Sequence, residues 1–511
     1  MSNQDHTLAG FVVIANAGVR ILAGVVLCLL PVVLVVHDLA DPNLRLPAIP
    51  QSAWRLHRTL TPKFERWAKE RLGSSRATQL STSDISGTEW PLFGSVFYLW
   101  ATESLQSAWE TNQQRSGVAP REYAKEAVVT AARLVMDPQQ ASWVKTHWGT
   151  NYLKTENVFY RMLVISALTS HARLTEDTQY LPLLKDQVES LSAELDASRH
   201  GLLDDYPGEC YPGDVVTAIA MIRKADRVLG TDHSDFARRA LRGFQTKGLD
   251  PRGLVPYAAH AVSGEPLGPS RGCGNSYVSL FSPEIWPEQA REWYDRYTSL
   301  FWQEVWTAVG FREFPRDMNG YDWLFDVDAG PVLKGYGFAA CAFGVGAARV
   351  NGHFEHAVPL TAEMYAVSCP LPDGTLLVPR LLSNATDAPF LGEAAILFNL
   401  TRLPAAGFSV QTGGSLPAFT WIILVLQSVA GLVVVGSSVL AIRRWCRRTH
   451  PVVIPLARLQ MVLWVALGLG SAALLLVGYA WWAAAALVCA QLLPRLRRQK
   501  PAIAPSANQS P

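Results

Sequence analysis

The chain has 511 residues, 49% of them hydrophobic, and 45 basic side chains against 43 acidic ones leave a formal net charge of +2. That length holds two or three ordinary domains, or one large domain plus membrane segments, and a charge so near balance supplies no basic field of the kind that attracts nucleic acid. Seven cysteines, with no CxxC pair and no short metal-type spacing, imply neither a disulfide framework nor a structural zinc site.

From Ile21 to Val36 the chain reads ILAGVVLCLLPVVLVV, uncharged and led in by Arg20. With the apolar GFVVIANAGV before it, the run passes the roughly 20 residues that cross a bilayer. A cleaved signal peptide is the competing reading; the length of the run favours an uncleaved anchor over residues 1–37. At the other end, Leu416 to Ile442 is a second span, closed by Arg443, Arg444, Arg447 and Arg448. A third apolar block runs from Leu459 to Pro494 and ends in Arg495, Arg497, Arg498 and Lys500. As one helix it would be about 54 Å long against a hydrocarbon core of roughly 30 Å, so a hairpin turning near Gly478 is expected. Residues 416–500 therefore hold two or three transmembrane helices, followed by a disordered tail over 501–511. The cationic loop from Arg443 to Arg458 belongs in the cytoplasm by the positive-inside rule. Residues 38–415 are then extracytoplasmic, periplasmic in a bacterium, with both termini on the cytoplasmic side of the inner membrane.

Between the spans, apolar helices open at about Glu89, Glu156, Asp214, Asn275, Val332 and Ala388, in steps of roughly 56 to 67 residues. That pitch accommodates two helices and their loops. The first of each pair is apolar nearly all round, as in VVTAIAMI from Val215 and VLKGYGFAACAFGVGAA from Val332. The second is amphipathic, as in YLPLLKDQVESLSAEL from Tyr180 and EQAREWYDRYTSLFWQEVW from Glu288. A helix apolar on every side is buried, and one with a polar face meets solvent. Six buried helices ringed by outer ones make an all-α (α/α)6 toroid; an open solenoid is the alternative.

Polar residues recur where the inner helices begin, and in a toroid these starts converge at one mouth. They include Glu89 and Trp90 in GTEWPLFG, Glu156, Asn157 and Tyr160 in LKTENVFYR, and Cys210, Tyr211 and Asp214 in YPGECYPGD. Tyr257 in LVPYAAH, Arg271, Cys273 and Asn275 in SRGCGNSY, and Asp326 and Asp328 in FDVDAGP complete the set. Carboxylates crowded at one mouth repel as ions, so some hold protons at neutral pH and serve as general acids. On that ground Glu156, Cys210, Asp214, Asp326 and Asp328 are the expected catalytic groups. Glu89, Trp90, Asn157, Tyr160, Tyr211, Tyr257, Arg271 and Cys273 are the expected substrate contacts. Ordinary helix capping is the competing account for each acid and amide, and a buried thiol is the competing account for Cys210. The Asp326/Asp328 pair lacks further metal ligands, and the glycines near Phe343 follow no strand, so neither a metal nor a nucleotide cofactor is expected.

The run KTENVFYRMLVISALTSHARLTEDTQY resembles the inner helix of the linalool dehydratase/isomerase family that carries a KENxxY start. CYPGDVVTAIAMIRKADRVLGTD resembles that family's CEPDN-containing helix, and GLVPYAAHAVSGEPLGPS and the glycine-rich helix after Asp328 follow in order. The similarity covers roughly Glu89 to His353. It implies an (α/α)6 fold and, by analogy with the founding enzyme, periplasmic acid–base dehydration and isomerisation of a tertiary terpene alcohol without a cofactor. Cys210 matches the family's first active-site cysteine, whereas Leu163 stands at its catalytic histidine and Ile219 near its second cysteine. The leading function is thus a lyase or isomerase acting on an alcohol or lipid-like substrate at the bilayer. A glycan-acting hydrolase or lyase and a non-catalytic binding or assembly subunit are the alternatives.

Overall fold

The computed structural model describes residues 15–111, 117–305, 307–446, 466–468 and 470. By its internal contacts the chain divides into two units, Val32–Leu424 on the one hand and Met1–Pro31 with Val425–Pro511 on the other. The first helix, α1 (Ala15–Leu39), is long and apolar enough to cross a membrane. A single π-helical turn, Val25–Leu29, precedes Pro31, whose missing N–H would break the regular α ladder there.

The unit Val32–Leu424 is mostly helical. Six of its helices are apolar on nearly every side: α3 (Trp90–Thr111), α5 (Val158–Thr175), α7 (Pro212–Leu229), α9 (Gly272–Ile285), α11 (Phe338–Val350) and α14 (Leu391–Thr401). Each packs on the next in chain order, and α14 returns against α3. Further helices lie against them: α2 (Gln51–Leu72), α4 (Lys125–Met136), α6 (Leu181–Ala197), α8 (Ser234–Lys247), α10 (Pro287–Phe301), α12 (Phe354–Ser368) and α13 (Leu377–Asn384), all amphipathic except α12, which is apolar and largely buried. In α8 the division is plain, with Phe236, Ala237, Ala240 and Phe244 buried and Arg238, Arg239 and Arg242 exposed.

Where the apolar helices meet, the core is aromatic. Phe97 stacks on Phe398 with centroids 5.6 Å apart and lies 5.8 Å from Phe343. Trp100 contacts Phe281 and Phe398 at 5.2 and 5.1 Å. Tyr277 meets Phe343 at 5.4 Å, and Phe93 meets Phe159 edge-on at 5.6 Å. Rings from α3, α5, α9, α11 and α14 therefore fill the middle, each worth its buried area plus about 0.5–1.5 kcal/mol for pair geometry.

Two expectations fail between Trp302 and Gly337. The helix starting at Pro287 stops at Phe301, and the inner helix expected from Val332 begins at Phe338. In between lie β1 (Trp302–Val305) paired antiparallel with β2 (Ala308–Phe311), and β3 (Trp323–Asp326), β4 (Gly330–Leu333) and β5 (Tyr336–Gly337) in a meander. The cause is local. Lys334 and Gly335 both adopt positive φ, 52° and 83°, between the paired residues Leu333 and Tyr336. That tight turn folds the apolar run back on itself where a helix would have continued through it.

The last helix, α15 (Ala418–Cys446), is the second of two described helices long and apolar enough to cross a membrane. Within its own unit it meets the N-terminal helix through small residues. A Cβ on Gly431 would stand 2.7 Å from Leu29 Cδ2, and one on Gly24 would stand 3.1 Å from Val434 Cγ1. The expected hairpin from Leu459 to Pro494 and the tail over 501–511 lie outside the described residues, apart from the few positions named above.

Candidate active site

Glu89 immediately precedes α3, Asp214 stands in the first turn of α7, and Asp328 follows β3. The charge of Asp328 raises the proton affinity of both Glu89 and Asp214, and that of Glu89 raises Asp214 further. Burial pushes Glu89 up to about 7, against a hydrogen bond from Tyr206 and with Asp328 adding to the rise. Burial, then Asp328 and Glu89, push Asp214 up to about 8. Asp328 is an exposed residue that partial desolvation nonetheless affects. It too is raised, with Asp326 adding and the Tyr257 hydroxyl and Arg271 opposing. Tyr257 donates its hydroxyl to Asp328 Oδ2. At neutral pH this group holds fewer negative charges than carboxyls.

Tyrosines complete the wall. Tyr211 packs edge-on against Tyr257 at 5.4 Å and donates to Glu209 Oε2 at 3.0 Å. Tyr277, from α9, is buried beside Asp214 and Thr217, and its hydroxyl lacks a hydrogen bond of good geometry. Phe93 lies 6.0 Å from Tyr277, joining this wall to the aromatic core.

A second set of side chains braces the mouth. Arg271 donates Nε to Glu313 Oε1 at 2.7 Å and Nη1 to Asp326 Oδ2 at 3.2 Å, and its guanidinium lies 4.3 Å from the Tyr257 ring centre. Glu313, wholly buried, also accepts from the Cys273 amide at 3.1 Å and from Cys273 Sγ at 3.0 Å. Burial pushes the Cys273 thiol up, and the adjoining Glu313 carboxylate adds to it, so the sulfur stays protonated and donates. The contact depends on Gly272: a Cβ there would stand 1.9 Å from Arg312 O, and its own amide donates to Glu313 O at 2.8 Å.

The remaining expected residues are engaged elsewhere. Glu156 accepts the Asp204 amide at 2.8 Å and so pins a loop. Asn157, at φ 51°, donates to Tyr152 O at 3.1 Å. Tyr160 donates to Val135 O at 2.9 Å inside the core. Cys210 is buried; its carbonyl accepts the Ala259 amide at 3.0 Å, and burial followed by Asp205 pushes its thiol up. Trp90 is half-buried at the start of α3, and Asn275 donates to the Val255 and Arg271 carbonyls, both at 3.0 Å. Three residues that sequence reasoning passed over belong here: Tyr206, Glu313 and the buried Asp205. Asp205 ties the starts of α5 and α7 together by accepting the Phe159 and Tyr211 amides at 2.8 and 2.7 Å. Tyr206 sits in the same run as Cys210 and was visible there, whereas nothing around Glu313 marks it.

Residues of α3, α5, α7, α9 and α14 also line a cavity of about 450 Å³ that is open to solvent. Both of its acids are held in ion pairs. Glu103 accepts from Arg173 and Ser170, both at 2.9 Å, and from Lys224, while Arg402 pairs with Glu284. Against the upward push of burial, Lys224 and Arg173 hold Glu103 below its ordinary value, so it is an anion locked in ion pairs. Among the described residues, His353, Glu355 and His356 bring donor atoms within 4.8 Å of one another. They sit at the start of α12, where His353 is bonded to Glu355 at 2.6 Å and His356 to Tyr294 at 3.1 Å.

No family model matches the chain, and no curated protein matches it. Among solved structures, a crystal structure of D-mannose isomerase is similar at 12% identity, covering 49% of this chain and 84% of that one, with a TM-score of 0.30. A likeness so slight assigns neither fold nor activity.

Proposed function

We propose that this chain is a membrane-anchored, extracytoplasmic enzyme built on an (α/α)6 toroid, a cofactor-independent lyase or isomerase that works by acid–base chemistry on an alcohol or lipid-like substrate. The observation that carries the reading is the group Glu89, Asp214 and Asp328, in which Glu89 titrates near 7 and Asp214 near 8. A carboxylic acid protonated at neutral pH is a general acid, and its ionised neighbour is a general base. In this reading Asp214 protonates the departing hydroxyl as the C–O bond breaks and water leaves. A carboxylate of the same group takes a proton from the adjoining carbon, whose C–H electron pair becomes the new double bond. Tyr257 and Tyr206 hold the acceptor carboxyls in place, and aromatic faces beside the mouth stabilise positive charge developing on carbon. The aromatic wall of Tyr211, Tyr257 and Tyr277, joined to Phe93, supports a substrate with a hydrocarbon body. The succession of six buried helices closing on the first supports the toroid, and the motifs around Glu156, Cys210 and Tyr257 support a linalool dehydratase/isomerase-like ancestry.

The test is the full chain in nanodiscs incubated with a panel of tertiary and allylic alcohols, with alkene and rearranged alcohol measured by gas chromatography. Wild-type turnover that falls as pH rises through about 8, and that disappears in Asp214→Asn, is the expected result. Asp214→Asn retaining turnover would remove the proposed acid.

A further inference from the structure

The hairpin that delivers Asp326 and Asp328 to the mouth is apolar on its outer face as well as its inner one, where Leu324 pairs with the buried Val332. Along β3 the exposure alternates, with Trp323 and Phe325 outward and Leu324 and Asp326 half-buried. The inward acid, Asp326, meets Arg271. The outward side chains are the large apolar ones: Trp323 is 66% exposed and Phe325 77% exposed. Their cross-strand partners continue the surface, Leu333 opposite Trp323 and Pro331 opposite Phe325, and Val327 at the turn is exposed as well. Nearby carboxylates have partners of their own: Asp322 pairs with Arg312, and Asp328 accepts from Tyr257. The loop carrying Tyr257 likewise exposes Val262 and Leu267. A two-stranded ribbon ordinarily turns its apolar side chains to the core and its polar ones to water. One that carries large apolar side chains on its outer face as well presents a surface that is satisfied only by an apolar environment.

We propose that this hairpin is a membrane-docking element. Trp323, Phe325 and Leu333 enter the interfacial layer of the bilayer, and the acid mouth behind them opens toward lipid. The occupant follows from the chain itself. The unit bearing the hairpin continues at both ends into helices long and apolar enough to cross a membrane, α1 and α15. Such tethering holds a bilayer surface at high effective concentration beside the unit. An indole ring suits the boundary between headgroup and acyl chain, and exposed Lys334 at the following turn suits the phosphate layer. The inference rests on the membrane anchoring in the proposed function and is independent of the chemistry at the mouth.

The experiment uses the full chain in phosphatidylethanolamine–phosphatidylglycerol nanodiscs, with a nitroxide at Val327→Cys so that Trp323 and Phe325 stay intact. Depth is read by power saturation with oxygen against a water-soluble nickel chelate, the unmutated chain serving as the labelling blank. Two further labels calibrate it: Arg238→Cys on the exposed face of α8 for water, and Val433→Cys in α15 for the bilayer interior. The expected result is an oxygen-to-nickel accessibility ratio at position 327 several-fold above that at 238, falling to the 238 value when Trp323 and Phe325 are both changed to serine. A label at 327 that reads as water while 433 reads as lipid would overturn the docking and leave the anchoring intact. A label at 433 that also reads as water would overturn both. A label at 327 shielded from both relaxants would show a protein contact, against the inference.

Discussion

Replacing Glu89 with glutamine keeps the size and hydrogen-bonding reach of the side chain and removes its titration. In the folded chain Glu89 is held up to about 7 from an ordinary 4.5, chiefly by burial. A carboxyl raised in this way keeps its proton where the unfolded chain has released it. Its contribution therefore favours folding most below pH 4.5, declines as pH rises to about 7, and stays lost above that. The gap corresponds to about 3 kcal/mol. The unit Val32–Leu424 has about 390 residues, so its unfolding entropy near the midpoint is about 0.8 kcal/mol/K, and the Tm difference is about 4 °C. Differential scanning fluorimetry of the nanodisc-embedded chain from pH 5 to pH 9 measures it. The wild type should lose about 3 °C more than Glu89→Gln across that range, part of the full difference having been lost already below pH 5, and the two agree most closely at pH 5. Asp214 is present in both, so the difference isolates Glu89, apart from a downward shift of Asp214 when its neighbour's charge goes. Parallel curves for the two proteins would show that Glu89 is ionised throughout, and the proton-sharing group would be lost from the argument.

Glu313→Ala strands the Arg271 guanidinium and the Cys273 amide in a buried site and should cost about 3–5 kcal/mol, seen as a Tm drop of about 4–6 °C. Gly272→Ala puts a Cβ on Arg312 O and should destabilise by more than about 2 kcal/mol, whereas Gly274→Ala, with nothing within 4 Å, should stay within about 1 kcal/mol; a thermal melt of the pair reads the contrast. A reporter inserted near Ser263 that is active only in the cytoplasm should be silent, and strong activity there would reverse the proposed topology.

The helical class, the two long apolar helices and the division into buried and amphipathic helices were legible in the sequence, because hydrophobic burial is written directly into composition and periodicity. The α5 run is apolar on nearly every side, which marks it as internal; α8 carries its arginines on one face, which marks it as external. Five inner-helix starts fall within a few residues of those expected. The sixth was displaced because Lys334 and Gly335 turn back an apolar stretch that periodicity alone reads as helix, and a two-residue turn outweighs the preference of the residues around it. Proximity to a helix start also marked Glu156 and Cys210 with the same weight as Asp214. Only the packed structure separates them, since Glu156 is held by the Asp204 amide and Cys210 is buried, while Asp214 feels the charges of Asp328 and Glu89. Glu313 was invisible for a related reason. Its partners, Arg271 and Cys273, lie some forty residues earlier in the chain, and it becomes a support for the mouth only when Gly272 lets α9 close against Arg312. Which acids keep their protons depends on desolvation and on neighbours brought together by tertiary contacts, and that no linear sequence states.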